Sequence, residues 1–448
     1  MAFPHITSAF NVSIVLASWV LSANLLGTVA TAPLLGKASD SFGRKRTYIF
    51  FVVLFMVGTL LSAIAPNIYL LIMARTIQGI GSGGLIPASA GIVAEAFPHS
   101  RQRYIGFITT IVTAGGILGP NVGGWIVETF GWRAVFWLAL PWAAATLFAL
   151  ALILKPDKKR TRLDVDLKGA GLFAGSLLCV MAGITVLGNG GKEGFWWAPG
   201  GLLVLAGSLL LFFFFHHEKK VAMPMLDPVI LTGKPYNAAN IYNIIIGVNF
   251  GVSALLPLYA VSVYGMSTLQ SGLAITPRSV GLAAASLVSS FFLLRFGYRK
   301  PMVLGSLLVA LAGLLLGLGA LDFPMSHSTR LALLLVVIGL SGVGLGICVP
   351  AANNACIELM PEQISTITGL RQTFRNLGAA VSISITSVVL HLSSSVGLGF
   401  AFAFWGTALL MLLAMPAIYA MPRSARDTPS KACPPSTGAY SGSSPGNS

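Results

Sequence analysis

Long apolar runs, separated by short polar segments, dominate this chain. Residues 1–36 contain no Asp, Glu, Lys or Arg, and neither do residues 47–74. A membrane-spanning helix needs roughly 20 predominantly apolar residues, and backbone groups in lipid have no water partner, so these runs predict transmembrane helices. Thirteen are predicted, at 12–35, 47–65, 68–95, 104–126, 134–154, 169–188, 198–215, 238–262, 270–294, 301–321, 331–357, 367–391 and 398–421.

Composition agrees with a membrane protein. Of the 448 residues, 55% are hydrophobic and 9% are charged, whereas soluble domains carry about 25% charged residues. The four cysteines form no C-x-x-C pair, so neither a disulfide framework nor a redox role is predicted.

The basic residues predict the orientation, because Lys and Arg collect in cytoplasmic loops. If the loop containing Arg44 is cytoplasmic and the spans alternate, 23 of the 28 basic residues fall in cytoplasmic segments and only Arg75 and Arg278 fall inside spans. This predicts a multi-pass protein of the plasma (inner) membrane with an external N-terminus and a cytoplasmic C-terminus. The net charge of +15 then reflects topology, and no nucleic-acid partner is expected.

An internal repeat relates two halves of the chain. "FGRK" at 42–45 recurs as "FGYRK" at 296–300, with Gly43 and Gly297 254 positions apart. Transporters are often built from repeated halves with the substrate site between them. The same offset puts the partner of helix 238–262 almost wholly before Met1, so the first half is expected to lack its opening span, through a late start assignment or a truncated gene.

The predicted organisation has five parts. Residues 1–154 form an N-terminal half-bundle with five visible spans, and residues 155–168 form a basic cytoplasmic loop. Residues 169–215 supply two extra central spans, and residues 236–421 form a C-terminal six-helix half-bundle. The Pro/Ser/Gly-rich tail at 422–448 is predicted to be disordered.

Three motifs resemble those of one transporter family. "GKASDSFGRKR" (36–46) resembles the loop between the second and third spans of the major facilitator superfamily. "RTIQGIGSGG" (75–84) resembles its fourth-span motif, and "GGILGPNVGG" (115–124) its fifth-span antiporter motif. The two central helices favour the fourteen-span drug:proton antiporter branch. The resemblance implies an all-α polytopic membrane protein with a two-bundle fold.

The first motif suggests a gate. Asp40 and Arg44, on either side of Gly43, and Glu95 at the end of helix 68–95 match positions that the resemblance implies form a cytoplasmic latch. The alternative is that the basic residues only fix topology and that Glu95 is solvated. The second copy of the loop departs from the pattern, since Leu294 stands at the place of Asp40.

Two arginines inside spans are candidate coupling residues. Arg75 lies roughly 10–12 Å from the external end of its helix at 1.5 Å per residue, and Gln78 shares its face. An Arg within the membrane normally faces a cavity or a partner, so Arg75 and Gln78 are assigned to the cavity. Snorkelling of Arg75 to the headgroups is the alternative. Arg278 is a similar candidate without a strong motif.

The glycines of the third motif predict a helix that packs closely and bends. Gly115, Gly119 and Gly123 share one face, which lets helices approach, and Pro120 removes a backbone donor. Together with Gly124 they are assigned to a pivot, with plain packing as the alternative.

Two residues of the first visible span are substrate-cavity candidates. Trp19 lies near the predicted external end, where an interface anchor is the alternative. Asn24 stands where the family would have Tyr, and a buried Asn in lipid needs a partner.

These features predict a secondary transporter and not an enzyme. The chain has neither the G-x-x-x-x-G-K-[ST] of an ATP-driven pump nor H-E-x-x-H. We expect a monomer without cofactor that exports small hydrophobic or amphipathic compounds by proton antiport. Alternatives are metabolite uptake by the same superfamily, or a non-transporting sensor or inactive truncated paralogue. All 13 acidic residues fall in loops, in the tail or near helix ends, so the proton-carrying carboxylate is expected in the missing span.

Overall fold

The computed structural model is helical throughout the residues it describes. These are residues 3–42, 44–85, 89, 92–93, 96–97, 111, 115, 119, 122–153, 166–189, 197–221, 233–320, 327–359 and 364–423. Within those ranges every regular element is a helix, so the prediction of an all-α fold is confirmed.

The helices fall into three groups along the chain. The first group contains α1 (Phe3–Phe10), α2 (Ile14–Phe42), α3 (Arg44–Ile64), α4 (Ile68–Ser82), a helical segment at 122–130 and α5 (Arg133–Ile153). The central pair is α6 (Leu167–Asn189) and α7 (Trp197–Glu218). The last group contains α8 (Lys234–Ala254), α9 (Leu256–Tyr264), α10 (Thr268–Phe296), α11 (Arg299–Gly319), α12 (His327–Ile357), α13 (Ile364–Leu392), α14 (Val396–Leu413) and α15 (Met415–Ala420).

The helix lengths are those of a multi-pass membrane protein. Among the described residues, eight helices are long and apolar enough to span a membrane, or nine if one bent pair counts as a single span. The predicted span at 104–126 lies largely outside the described residues, and the end of the predicted span at 68–95 is described only in part. The count of thirteen therefore stays a prediction.

The predicted helix at 238–262 is wrong in one respect, because it is not continuous. α8 ends at Ala254 and α9 begins at Leu256, with a bend of 41° between them. Pro257 lies in the first turn of α9, where its missing N–H cannot continue the hydrogen-bond ladder of α8. Proline therefore breaks the span at Leu255.

The motif at 36–46 is not the loop that its charges predicted. α2 continues to Phe42 and α3 begins at Arg44, so a single residue separates two helices. Lys and similar polar residues are compatible with helix, and a helix that leaves the hydrocarbon region keeps its own hydrogen bonds. The opening segment "FPHITSAF" is also helical, as α1.

The helix bounds follow the repeat found in the sequence. α2 and α10 both have 29 residues, and both of their ends differ by 254 positions, from Ile14 to Thr268 and from Phe42 to Phe296. α3 and α11 both have 21 residues. The repeated helices are therefore equivalent in length as well as in order.

Glycines extend the repeat to α4 and α12, where sequence analysis did not find it. Gly79 of α4 lies directly against the backbone of Asn24 in α2, and Gly342 of α12 lies directly against the backbone of Arg278 in α10. A Cβ atom at either glycine would overlap the facing carbonyl group. Gly79 and Gly342 are 263 positions apart, and Asn24 and Arg278 are 254 positions apart, so the two contacts are repeat copies.

The end of the last helix returns to the second copy of the motif. The carbonyl of Arg423 accepts from the backbone N–H of Tyr298 at 2.9 Å, and that of Met421 accepts from the Arg299 guanidinium at 2.8 Å. Gly297 turns this loop with a φ of 69°, a conformation that glycine adopts without strain. The predicted tail begins at 422; the structure describes the chain as far as Arg423, and residues 424–448 lie outside the described residues.

Candidate functional site

Among the residues that the structure describes, four arginines lie at least seven residues from either end of their helices. Arg75 is the eighth residue of α4, Arg278 the eleventh of α10, and Arg371 and Arg375 the eighth and twelfth of α13. The predicted 23 cytoplasmic basic residues include Arg371 and Arg375, which is wrong, because both lie inside the predicted span 367–391 and the apolar span Gly369–Leu392. Cytoplasmic segments therefore hold 21 of the 28. An arginine at the centre of a membrane costs at least ~2.5–3.5 kcal/mol on insertion scales, so each needs polar partners.

Arg75 and Gln78 are brought together, as their spacing predicted. Arg75 donates to Gln78 Oε1 through Nη1 and to the carbonyl of Val20 through Nε, the latter at 3.2 Å. Gln78 in turn donates to Thr59 Oγ1 at 2.8 Å. The Arg75 guanidinium also lies 5.8 Å from the centre of the Phe136 ring. This network joins α2, α3, α4 and α5 and holds Arg75 inside the bundle.

Asn24 and Trp19 are packed against neighbouring helices. Asn24 Nδ2 donates to the backbone carbonyl of Arg75 at 3.2 Å, so the Asn24 amide has a hydrogen-bond partner on α4. Trp19 packs, partly buried, against a hydrophobic cluster that includes Leu26 of α2 and Ala380 of α13. Their predicted contact with substrate stays a prediction.

A second cationic group lies among α8, α10 and α13. Arg278 donates to Asn249 Oδ1 at 3.3 Å, and its guanidinium carbon lies 5.4 Å from the centre of the Phe250 ring. The guanidinium carbon of Arg375 lies at the same distance, 5.4 Å, from that ring centre. Arg375 also donates to Gln372 Oε1. We call Arg278, Phe250 and Arg375 the two-arginine group.

Amide side chains continue this polar region along α13. Gln372 donates to Asn376 Oδ1 at 3.1 Å, and Arg371 donates to Asn353 Oδ1 of α12. This region was not among the predicted sites, although the sequence carries a signal for it: "RQTFRN" at 371–376 interrupts an apolar helix with two arginines four residues apart.

Close backbone packing positions the two-arginine group. Gly247 of α8 lies directly against the backbone of Arg375, and Gly378 of α13 against the backbone of Ile244. Small residues allow helices to approach this closely in lipid. The contact brings Phe250, one turn from Gly247, beside the Arg375 side chain.

Two cavities differ in chemistry. A crevice of about 10 Å³ beside the two-arginine group has polar lining residues, among them Asn249, Ser341 and Thr407. A groove of about 520 Å³ between α3 and α5 is apolar, with Leu60 and Trp137 in its lining. Those two residues are 42% and 49% exposed, so the groove opens on the outer surface, where lipid chains would fill it. The crevice reaches the two-arginine group through Asn249, the hydrogen-bond partner of Arg278.

The residues of the predicted latch lie outside what the structure describes: Gly43, Glu95 and the side chains of Asp40 and Arg44. Their repeat positions in the second half are described. Adding 254 to Arg44 gives Tyr298, and adding 263 to Glu95 gives Glu358. The Tyr298 hydroxyl donates to Glu358 Oε1 at 3.1 Å, so these two positions are in contact in the second half.

The antiporter motif makes one close contact in the described residues. A Cβ atom at Gly115, Gly119 or Gly123 would have no described atom within 4 Å, whereas one at Gly124 would lie 3.2 Å from the carbonyl oxygen of Thr268. Close packing, predicted for the first three glycines, is therefore seen at Gly124. Pro120 lies outside the described residues, and the pivot role stays a prediction.

A carboxylate that the sequence analysis left without a role joins the two halves. Glu128 Oε2 accepts from the backbone N–H of Leu269 at 2.5 Å and from the Ser267 hydroxyl at 3.3 Å. Beside it, His5 Nε2 lies 2.6 Å from Thr268 Oγ1. A carboxylate at a helix N-terminus satisfies free N–H groups and complements the helix dipole, so Glu128 caps α10 from the opposite half.

A helical membrane protein with two repeated halves and buried cationic networks has the construction of a secondary transporter. The model of the Major Facilitator Superfamily matches residues 1–169, 167–383 and 238–439. The chain belongs to the Major Facilitator Superfamily. This confirms the predicted family and the prediction of a transporter and not an enzyme.

Curated relatives cover most of the chain. It is 26% identical to the multidrug transporter protein MdtP of Bacillus subtilis (strain 168), over 84% of this chain and 69% of that protein. It is 28% identical to the multidrug resistance protein B homolog of Mycobacterium tuberculosis (strain ATCC 25618 / H37Rv), over 83% and 69%. It is also 28% identical to the methylenomycin A resistance protein of Streptomyces coelicolor, over 91% and 85%.

Solved structures share the fold. The human organic anion transporter MFSD10 matches with a TM-score of 0.61 and 18% identity, over 93% of this chain and 88% of that one. A POT family transporter in complex with a thioalcohol-conjugated peptide matches with a TM-score of 0.66 and 15% identity, over 90% and 88%. At these identities the likeness concerns the fold alone.

Proposed function

We propose that this protein exports small hydrophobic or amphipathic organic compounds by alternating access, in exchange for protons. The observation that carries the proposal is the similarity to relatives named for multidrug transport or drug resistance, which extends over more than four-fifths of the chain. Because the similarity includes both halves, it covers the region between them where such transporters bind substrate.

Contacts at the two ends of the bundle support alternating access. At one end, Glu128 and His5 bond to residues 267–269 at the start of α10. At the other end, Tyr298 bonds to Glu358, and its repeat counterpart would join Arg44 to Glu95. The contacts of Glu128 and His5 cross the seam between the halves and must open for release at their face. The Tyr298–Glu358 contact lies within the second half and braces the other end.

Glu128 is the described carboxylate best placed to couple a proton. Its carboxylate oxygen accepts from the backbone N–H of Leu269 in α10, across the seam between the halves. Loss of the negative charge would weaken this bond and favour opening at this face. The titratable and charged groups around this end include His5 of α1 and Arg133 at the start of α5, whose guanidinium bonds to the carbonyl of Ala65. Arg75 is the alternative coupling residue, through the network with Gln78.

We further propose a monomer in the plasma membrane with the C-terminus in the cytoplasm. The end of the last helix bonds to Arg299, in one of the basic segments that the charge distribution assigns to the cytoplasmic face.

Two measurements together test the function. An efflux-deficient host that expresses the chain should gain resistance to some members of a drug panel. Purified protein in liposomes should then move one of those drugs when a pH gradient is imposed, and should move protons in return. Drug accumulation in the host would favour uptake, and binding without flux would favour a sensor. Drug flux that does not depend on the pH gradient would reject the proton coupling but not the export.

A further inference from the structure

We infer that the two-arginine group binds an anionic group carried on an apolar body. The inference deepens the proposed function, since an amphipathic organic acid would be one substrate class of the exporter. The same chemistry belongs to the headgroup of an anionic phospholipid, and the test below separates the two sources.

The geometry concentrates positive charge at one place. Each guanidinium carbon lies 5.4 Å from the centre of the Phe250 ring, so the two are at most twice that distance, 10.8 Å, apart. An aromatic face attracts a cation through its quadrupole but carries no net charge. Phe250 therefore holds both guanidiniums in place without neutralising either.

The hydrogen-bond partners are neutral as well. Arg278 donates to Asn249 and Arg375 donates to Gln372, both through amide oxygens. Neither arginine forms an ion pair with a carboxylate among the residues that the structure describes. Buried charges in proteins are normally paired, so this group has an excess of positive charge that an anion would balance.

Arg278 also has an unused donor. Arg278 is only 9% exposed, and its Nε has no hydrogen-bond partner within the described part of the chain. A carboxylate or phosphate accepts two parallel N–H groups from one guanidinium. Such a ligand would satisfy Nε and supply the missing negative charge at once.

The repeat indicates that the cation is not needed for the fold. Asn24 occupies the position of Arg278 in the first half, and its backbone makes the same close contact, with Gly79 in place of Gly342. A neutral side chain is therefore compatible with this helix packing. The arginine in the second half adds charge to a framework that does not require it.

The surroundings fit the apolar part of such a ligand. Phe250 and Arg375 are half-buried, and Phe250 packs against the same hydrophobic cluster as Trp19 of the first half. Asn249 borders the polar crevice. An anionic group at the guanidiniums could thus extend its body along apolar side chains from both halves.

Three fluorescent probes that share the dansyl group and differ in charge test the inference. Dansylglycine is anionic, dansylamide is neutral and dansylcadaverine is cationic. Equilibrium binding to the purified full chain in uncharged detergent should be about tenfold tighter for dansylglycine than for the other two, as expected for charge-assisted hydrogen bonds. Arg278→Gln and Arg375→Gln should each remove that preference while leaving dansylamide binding unchanged.

Matched variants separate charge from structural damage. Lys300→Gln removes one positive charge outside the site and should change none of the affinities. Arg278→Lys keeps the charge and should retain part of the preference for dansylglycine, even if the Gln variant is unstable. Equal affinity of the wild type for all three probes would overturn the inference, and so would an equal loss for all probes in the Arg variants.

Competition identifies the source of the anion. If phosphatidylglycerol in the micelles displaces dansylglycine, a phospholipid headgroup is the occupant; if it does not, a soluble organic acid is. Either result keeps the anion site. Charge-selective binding without any flux would overturn the proposed export and leave the site standing, whereas flux without charge selectivity would overturn the site.

Discussion

The hydroxyl of Tyr298 donates a hydrogen bond of 3.1 Å to the carboxylate of Glu358 and thereby joins the loop before α11 to the end of α12. The repeat relates these residues to Arg44 and Glu95. A contact described in one half thus supports the latch that the motif implied in the other, where a guanidinium would take the place of the hydroxyl and turn a hydrogen bond into an ion pair.

Tyr298→Phe should destabilise the protein by about 1.5–3 kcal/mol, the usual worth of a hydrogen bond to a charged group. Burial, and then the charge of Glu358, raises the pKa of Tyr298 from 10.0 to about 12. A raised pKa means that the contribution is complete below pH 10 and is lost as the pH rises through 12. Thermal unfolding in detergent should therefore show a difference between wild type and variant that disappears between pH 10 and 12. The exposed Tyr419 provides the control Tyr419→Phe, which should have no such effect.

Asp40→Asn and Arg44→Ala should reduce transport more than they reduce the amount of protein in the membrane, because a latch residue acts on the conformational cycle. Lys37→Ala removes a charge from the same segment and should affect flux less. Flux per molecule in liposomes and membrane yield are the two measurements. If all three variants lose flux and yield in parallel, the charges serve topology only.

Gly79→Ala should destabilise the bundle by about 1–3 kcal/mol, the range for overpacking, because its Cβ would overlap the carbonyl of Asn24. The repeat predicts the same for Gly342→Ala against Arg278. Gly406→Ala in α14 is the matched control, since no described atom lies within 4 Å of its Cβ position. Melting temperatures in detergent compare the three variants; a loss at Gly406 equal to that at Gly79 would contradict the packing described here.

Glu128→Gln should weaken closure at its end of the bundle, because a neutral amide accepts the Leu269 N–H less strongly than a carboxylate does. The variant should also exchange fewer protons for each drug molecule, since a carboxylate at the seam between the halves has been removed. Drug flux and proton flux measured together in liposomes check this. Glu193→Gln, an acid predicted in another external loop, should keep the wild-type ratio, and an unchanged ratio in Glu128→Gln would assign the coupling elsewhere.

Cysteines introduced at Lys300 and Ser394 should be labelled from opposite sides of the membrane. Both residues are exposed; Lys300 lies at the start of α11, and Ser394 lies in the turn between α13 and α14. In a background without native cysteines, an impermeant thiol reagent added to intact cells should reach position 394 and not position 300. Labelling of both from one side would reject the alternating topology.

The sequence by itself determined the class of the protein and its internal repeat. A bilayer demands long apolar helices and confines charge to their ends, so the spans, the motifs and the offset of 254 can be read along the chain. Local signals were less decisive where helix could continue through polar residues, as in α2, or where one proline divided a span, as at Pro257.

Only the tertiary structure decided which polar groups meet. Glu128 bonds to a residue 141 positions away, and Arg278 and Arg375 share a ring on a third helix. In a soluble helix the apolar stripe marks the buried face, but in a membrane the lipid-facing side is as apolar as the core. The pattern along such a helix therefore does not reveal which side faces the interior, and the packing of α8, α10 and α13 alone brings these cations together.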